Sequence, residues 1–459
     1  MRSGRQTRLW VRALPFGIVV GAWVLFLLAA YPGTMSIDSF DQLREARAGF
    51  YTDSHPPAMA ALWALTEHVV RGPFGMLAIQ SVTLIVGLAM ILWRVFRPLA
   101  AAVITSALFL YPPICAPLAV IWKDCLMAGG LVLGIALITG VGRRSRIAGL
   151  VVLMLASAIR YNAFAATLPL VVLLFEWRPG MKLLHRYAIA VGAWFAITVL
   201  ATGLDGVLAD RQMHFWASSF ALVDITGTVA MTDDTLPDSE LGPLLAPTQI
   251  EVASDYQAAL RSHYTPGDFV KLIGPPPALW NVELGGDVPA PEAQRDAITH
   301  AWWTLVSGHP GGYLKYRYDS LAEVLGMRAS FRGTTVLPRH WQRQTALDAF
   351  GIPRTDPPLA KTAESIAQLV GRRTPLFRPW FYALLALALL WWARRHREVL
   401  AILLSGLVME SSLLFLAVTP DYRYSHWLVV ATCLGLVLLV AKRAVPEHLA
   451  KPEPEASER

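Results

Sequence analysis

The chain has 459 residues, of which 55% are hydrophobic and 16% charged, and its formal net charge at pH 7 is +7. Soluble domains carry about 25% charged residues, so this composition argues against an ordinary soluble protein and indicates that lipid surrounds much of the chain. The positive charge does not indicate a nucleic-acid partner, because Lys and Arg occur in short runs between apolar stretches, as membrane topology signals do.

Apolar stretches and short basic runs alternate along the chain. A membrane-spanning helix needs about 20 apolar residues, and cytoplasmic flanks collect Lys and Arg. Together the two criteria predict an all-α polytopic membrane protein with about ten spanning helices, at Leu14–Ala30, Phe74–Trp93, Leu99–Leu110, Cys125–Val141, Ile147–Ile159, Ala163–Phe175, Tyr187–Leu204, Leu376–Trp392, Val399–Val418 and His426–Val440. The basic runs all fall on one side of this arrangement, which predicts that both termini are cytoplasmic.

The predicted helices divide the chain into two membrane modules, residues 1–204 with seven helices and residues 375–443 with three. Between them lies a stretch of ordinary soluble composition, residues 205–374, which we name the intervening segment. A structureless loop of that length is unusual, so we expect a mostly helical segment on the extracytoplasmic side. Helix-like apolar spacing occurs within it at Ala297–Val306 and Tyr313–Leu325. Residues 444–459 have the composition of a disordered cytoplasmic tail.

Polar residues on the predicted outer side cluster where loops lead into helices. The first outer loop carries two carboxylates three residues apart, which would share one face of a helical turn, and a later histidine. Each of the other outer connections also brings a carboxylate or a cation to the same membrane level. The candidate site residues are Asp38, Asp41, His55, Lys123, Asp124, Arg160, Tyr161, Asn162, Asp421, Arg423 and Tyr424.

Ionisable groups at a membrane boundary are costly unless they pair or meet a ligand. Carboxylates combined with Arg and Lys at an apolar surface suit a substrate that has an anionic head and a lipid tail. Lys123, Arg160 and Arg423 could clamp a phosphate, which Arg can bind with two hydrogen bonds. Asp38 could take the proton from an attacking hydroxyl, with Asp41 as the second choice.

Structural interpretations of the same residues stay open. Asp38 and Ser36 are equally suited to cap a helix, and Asp41 could be a solvated surface residue. Lys123 and Asp124 could pair with each other at a helix start. Arg160 could anchor lipid headgroups through its long side chain.

The order of these motifs resembles that of the GT-C-type glycosyltransferases, a class that includes protein O-mannosyltransferases and the aminoarabinose transferases that act on lipid A. The similarity lies in a first helix that ends in Tyr-Pro-Gly, the Asp38-x-x-Asp41 pair and His55-Pro56-Pro57 before a surface helix. Trp122-Lys123-Asp124, Arg160-Tyr161-Asn162 and Asp421-Tyr422-Arg423-Tyr424 are similar to positions in a less characterised bacterial branch. The resemblance extends in order from residue 31 to residue 425.

The resemblance implies an inverting transferase whose donor is a polyprenyl-phosphate-linked sugar and whose acceptor is a cell-envelope glycan, a lipid or a protein. Its site would face outward from the bacterial plasma membrane, with Asp38 or Asp41 as base and Arg423 on the donor phosphate. No organic cofactor is implied. A divalent cation stays open, since some members of the class need one, but the sequence offers no clear ligand set.

Two features depart from the class. Its members often carry their large soluble segment at the C-terminus and have adjacent acidic residues, whereas here the segment follows the seventh helix and the aspartates are spaced. Two other functions remain as alternatives: a transporter or flippase for lipid or polysaccharide, and a non-catalytic cell-envelope assembly protein. Transporters more often place polar residues near the bilayer midplane in repeated halves, and only Glu410 lies in the middle of a predicted span.

Overall fold

The computed structural model describes residues 3–178, 180–248, 250, 252, 255–266, 288–328, 344–417, 419 and 421–444. The fold is all-helical, with 76% helix, and the described residues contain no strand, only isolated bridges between Thr34 and Val120 and between Thr52 and Arg211. The predicted disordered tail lies outside the described residues from residue 445 onward.

The α-helices of the described residues are α1 (Ser3–Ala30), α2 (Ile37–Ala48), α3 (Pro57–Glu67), α4 (Phe74–Leu92), α5 (Pro98–Phe109), α6 (Pro112–Leu118), α7 (Lys123–Ile138), α8 (Arg143–Ile159), α9 (Ala163–Leu174), α10 (Leu183–Leu208), α11 (Ala221–Met231), α12 (Asp238–Leu245), α13 (Tyr256–His263), α14 (Glu292–Gly308), α15 (Pro310–Val324), α16 (Gln344–Ala349), α17 (Ala360–Arg373), α18 (Pro379–Ala393), α19 (Arg397–Leu416) and α20 (His426–Ala444). A π-helical turn spans Trp216–Phe220, and 3₁₀ turns span Pro375–Phe377 and Tyr422–Ser425.

Five helical stretches of the described residues are long and apolar enough to cross a membrane: Ala13–Ala30, Phe74–Leu92, Leu183–Leu208, Arg397–Leu416 and Tyr422–Arg443. They coincide with the first, second, seventh, ninth and tenth predicted spans. A sixth results if α5 and α6, which meet at a bend of 63°, count as one span. The chain is therefore compatible with a helical membrane protein, while the full set of ten spans stays a prediction.

Helix α7 has only 16 residues and packs against α4 and α8. Its residues from Asp124 to Val132 are all buried. Glycines let the neighbouring backbones approach closely: a Cβ on Gly87 would lie 2.7 Å from the Leu133 nitrogen, and one on Gly149 would lie 2.5 Å from the Ile138 nitrogen. Small residues commonly serve this purpose between membrane helices. The apolar character of α7 thus reflects its burial against the rest of the protein.

The described part of the intervening segment is mostly helical. The predicted helix Ala297–Val306 lies within α14, and Tyr313–Leu325 lies within α15 except for Leu325, one residue past its end. A buried ion pair lies within the segment, and its arginine also contacts the end of α19. Asp224 on α11 and Arg317 on α15 approach to 2.6 Å, with side chains 2% and 4% exposed. Trp302 donates to the same carboxylate at 2.8 Å. Arg317 also donates to the Ala417 carbonyl at 3.3 Å, so the segment contacts the chain just before the last predicted outer loop.

Helix α6 supports that loop from the other side. Pro117 has no N–H to bond the carbonyl of Pro113, four residues earlier. Instead the Tyr422 hydroxyl donates to the Pro113 carbonyl at 3.2 Å. The neighbouring Ile114 carbonyl lies 3.1 Å from Nε2 of His426, which is fully buried. The short helix therefore fixes the position of the 3₁₀ turn that carries Arg423.

Candidate functional site

The start of α2 sets the position of Asp38. Ser36 is the N-cap residue, and Ser36 and Ser39 form a capping box in which each side chain bonds the other's backbone N–H. Asp38 falls in the first turn, where the helix dipole favours a negative charge. Ser36 also accepts from the Trp122 indole at 3.0 Å, and Ser39 donates to the Ile121 carbonyl at 2.7 Å. The cap thus belongs to Ser36, and the Asp38 side chain is left for other contacts.

Asp38 forms an ion pair with Arg423, 385 residues later in the chain. Nη1 of Arg423 donates to Oδ2 of Asp38 at 2.7 Å, and Nε and Nη2 both lie 3.1 Å from Oδ2 of Asp421. Burial by itself raises the pKa of the Asp38 carboxyl, but the charges of Arg423 and Lys123 outweigh it and hold the pKa well below its usual range. Asp38 is therefore ionised at neutral pH while it contacts Arg423.

Lys123 and His55 form the second pair of the site, with Nζ 3.0 Å from Nδ1. Burial and the nearby positive charge of Lys123 lower the pKa of His55 to about 3. The imidazole is therefore neutral at pH 7, and its Nδ1 accepts from the ammonium group. Among the described residues, no carboxylate oxygen lies within 4.0 Å of Lys123. Its charge is thus less neutralised by direct contacts than that of either arginine of the site.

Arg160 binds side chains of the protein itself. Its guanidinium forms an ion pair with Asp124 and donates through Nε to Oδ1 of Asn162 at 2.6 Å. The Asp124 side chain is 1% exposed. Arg160 also lies over the Tyr424 ring, 4.8 Å from its centroid, and Asn162 continues the network to Ser412 at 3.1 Å. Asp124 therefore pairs with Arg160, and not with its sequence neighbour as one structural interpretation had it.

Two of the predicted site residues lie apart from this cluster. Asp41, one turn after Asp38, pairs with Arg44 at 3.3 Å. Burial raises the pKa of Asp41; Arg44 offsets part of this, and the charge of Asp38 adds to it. Tyr161 is 51% exposed and donates to the Asp53 carbonyl at 2.9 Å. The structure thus places Asp41 at the edge of the cluster and directs the Tyr161 hydroxyl to the Asp53 carbonyl, away from the ion pairs.

Two residues outside the predicted set belong to the same neighbourhood. Trp122 is 6% exposed, and its ring centroid lies 5.2 Å from the guanidinium carbon of Arg423. Glu410 is 5% exposed and accepts from Ser425 at 2.7 Å, two residues after Arg423. A carboxylate within an apolar helix is a signal that could have added Glu410. Trp122 has no comparable signal, since tryptophan is common at membrane boundaries.

Three cations and three carboxylates therefore meet in one cluster, in the pairs Arg423 with Asp38 and Asp421 and Arg160 with Asp124, beside Lys123. The formal charges of these six groups balance, and Glu410 lies beside them. Among the described residues, no group of three or more His, Cys, Asp and Glu side chains is placed to hold a metal ion. No protein-family model, curated protein or solved structure matches this chain.

Proposed function

We propose that this chain is an inverting glycosyltransferase of GT-C-like type, which moves a sugar from a polyprenyl-phosphate-linked donor to a glycan, lipid or protein acceptor. The observation that supports it most is the convergence of Asp38, His55, Lys123 and Arg423, from three separate parts of the chain, beside apolar helices. Such a cluster offers an anion contact and a carboxylate base within one site.

The proposed arrangement is a ten-span protein with both termini in the cytoplasm and the cluster on the outer face of the bacterial plasma membrane. The lipid tail of the donor would then lie in the bilayer while its phosphate reaches Lys123 and Arg423. Lys123 is the better first contact, because its ammonium group bonds only the neutral His55 among the described residues. Arg160, which is held by Asp124 and Asn162, positions the neighbouring Tyr424.

In the proposed reaction, the acceptor oxygen forms a bond to the anomeric carbon as the bond from that carbon to the phosphate oxygen breaks. The phosphate leaves with the electron pair, and its charge is stabilised by Lys123 and Arg423. The acceptor proton passes to a carboxylate on the opposite face, for which Asp38 is the first choice and Asp41 the second. Inversion follows from this single displacement.

The test is a transfer assay with the protein reconstituted in membranes and a panel of radiolabelled polyprenyl-phosphate sugars. Asp38→Asn is compared with Asp41→Asn, a matched change one helical turn away. Loss of a general base lowers the rate by about 10²–10⁴-fold, so label should reach an acceptor with the wild type and Asp41→Asn but not with Asp38→Asn.

The reverse pattern assigns the base to Asp41. Equal transfer by both variants removes the two residues from the mechanism. An absence of transfer from any donor by folded protein contradicts the enzyme and favours a transporter or an assembly protein.

A further inference from the structure

The ion pair between Asp38 and Arg423 occupies the donor groups that an incoming phosphate needs. The guanidinium has five N–H groups in a planar fork. One edge, Nε and Nη2, contacts Asp421, which is only two residues away in the chain. The other edge presents Nη1, which donates to Asp38 at 2.7 Å. Two parallel bonds from Arg423 to a phosphate therefore require one carboxylate to leave.

Asp38 is the carboxylate that is held less firmly. It contacts one nitrogen of Arg423, whereas Asp421 contacts two. Its side chain is 25% exposed, so rotation can bring it to solvent; Asp421 is 32% exposed but is held by two nitrogens of Arg423. The third carboxylate, Asp124, is 1% exposed and pairs with Arg160. Release of Asp38 thus breaks one bond to Arg423, whereas release of Asp421 breaks two and release of Asp124 exposes a buried carboxylate.

The backbone around Asp38 is fixed, so the change has to occur in the side chain. Ser36 and Ser39 hold the helix start through the capping box and through their bonds to Trp122 and Ile121. Arg423 is equally restrained by its side chain contacts, which leave it 9% exposed. A ligand therefore meets a rigid frame in which one carboxylate can exchange for another anion.

We infer that Asp38 is the internal counter-ion of Arg423 and that a phosphate ester on a lipid tail displaces it. The exchange itself does not depend on the proposed function, but the effect on catalysis that follows from it does. Once released, Asp38 no longer has its strongest positive neighbour to keep a proton off its carboxyl. The donor thus converts Asp38 into a stronger base and binds before the acceptor can react.

The experiment measures the Kd of farnesyl phosphate for the full chain in nanodiscs of phosphatidylcholine, by calorimetry. If the Asp38 carboxylate is bonded to Arg423 in about nine-tenths of the molecules, only about one-tenth can bind the phosphate. Removal of the carboxylate should then lower the apparent Kd of farnesyl phosphate about tenfold. Asp38→Asn keeps the shape of the side chain, and Asp38→Ala removes the carboxylate in another way. Both should show the gain, and adding Arg423→Gln should remove it.

Asp233→Asn is the matched control, since Asp233 is exposed and pairs with Lys315, not with Arg423, and its Kd should equal that of the wild type. An unchanged or weaker Kd in both Asp38 variants, with unaltered thermal unfolding, overturns the exchange. So does an absence of binding in the wild type and both variants.

Discs that contain phosphatidylglycerol form a second arm of the experiment. A gain that disappears there assigns the exchange to any phosphate headgroup, while a gain that persists assigns it to the prenyl phosphate; both results support the exchange. A gain in affinity without any sugar transfer supports the exchange and refutes only the glycosyltransferase.

Discussion

Replacement of Arg317 by methionine tests the buried ion pair within the intervening segment and its link to the end of α19. Arg317 and Asp224 form an ion pair at 2.6 Å with almost no solvent exposure. Removal of one partner leaves a buried charge without its counter-charge, which typically costs about 3–5 kcal/mol. Trp302 still donates to Asp224, so we expect a loss of unfolding free energy near the lower value, about 3 kcal/mol.

The free energy is measured by titration with sodium dodecyl sulfate in mixed micelles. Hydrogen exchange on the same variant reports on residues 421–425, because Arg317 also bonds the Ala417 carbonyl just before them. Exchange there should become faster. Lys315→Met is the control: it lies two residues earlier on α15, with a side chain 53% exposed in an ion pair with Asp233, and should change neither measurement.

A double variant provides the decisive comparison. Asp224→Asn added to Arg317→Met removes the second charge and keeps an oxygen that accepts from Trp302. The double variant should therefore be more stable than Arg317→Met alone. A cost below about 1 kcal/mol for Arg317→Met, the value typical of exposed pairs, would refute this reasoning, as would a double variant that is less stable than the single one.

Two further changes test the site and the helix packing. Burial and Lys123 lower the pKa of His55 to about 3, against about 6.5 when unfolded. Its contribution to stability is therefore full above pH 6.5 and falls as the pH drops toward 3. In His55→Gln the unfolding midpoint should depend less on pH over that range, and a pH dependence equal to that of the wild type contradicts this. Gly87→Ala places a Cβ 2.7 Å from the backbone of α7 and should cost about 1–3 kcal/mol. Gly203→Ala, which meets no atom within 4 Å, should cost nothing in the same titration.

Hydropathy located the five long apolar helices because each has enough consecutive apolar residues to cross a bilayer by itself. It is less informative for α7, which has only 16 residues and is buried in the protein from Asp124 to Val132. The close contacts at Gly87 and Gly149 that set this packing depend on residues far apart in the chain. Length and hydropathy therefore cannot distinguish a short span from a helix buried in a bundle.

The site shows a similar division. The sequence predicts the convergence of cations and carboxylates, because it predicts that their loops share one membrane side, but it does not predict their pairings. Lys123 and Asp124 are adjacent, yet neighbours on a helix point in different directions, and Asp124 meets Arg160 instead. The contact between Asp38 and Arg423 joins residues 385 positions apart, and nothing local in the sequence selects it. The roles of these residues in catalysis stay predictions.

Both partners of that ion pair are supported by one short stretch of chain, from Pro112 to Ile121. At its beginning, the Pro113 carbonyl receives the hydroxyl next to Arg423; at its end, the Ile121 carbonyl receives Ser39, next to Asp38. The number of residues between these two carbonyls therefore helps to set the distance between Asp38 and Arg423. Lengthening or shortening this stretch by one residue would therefore alter the distance between Asp38 and Arg423 without changing any charged group.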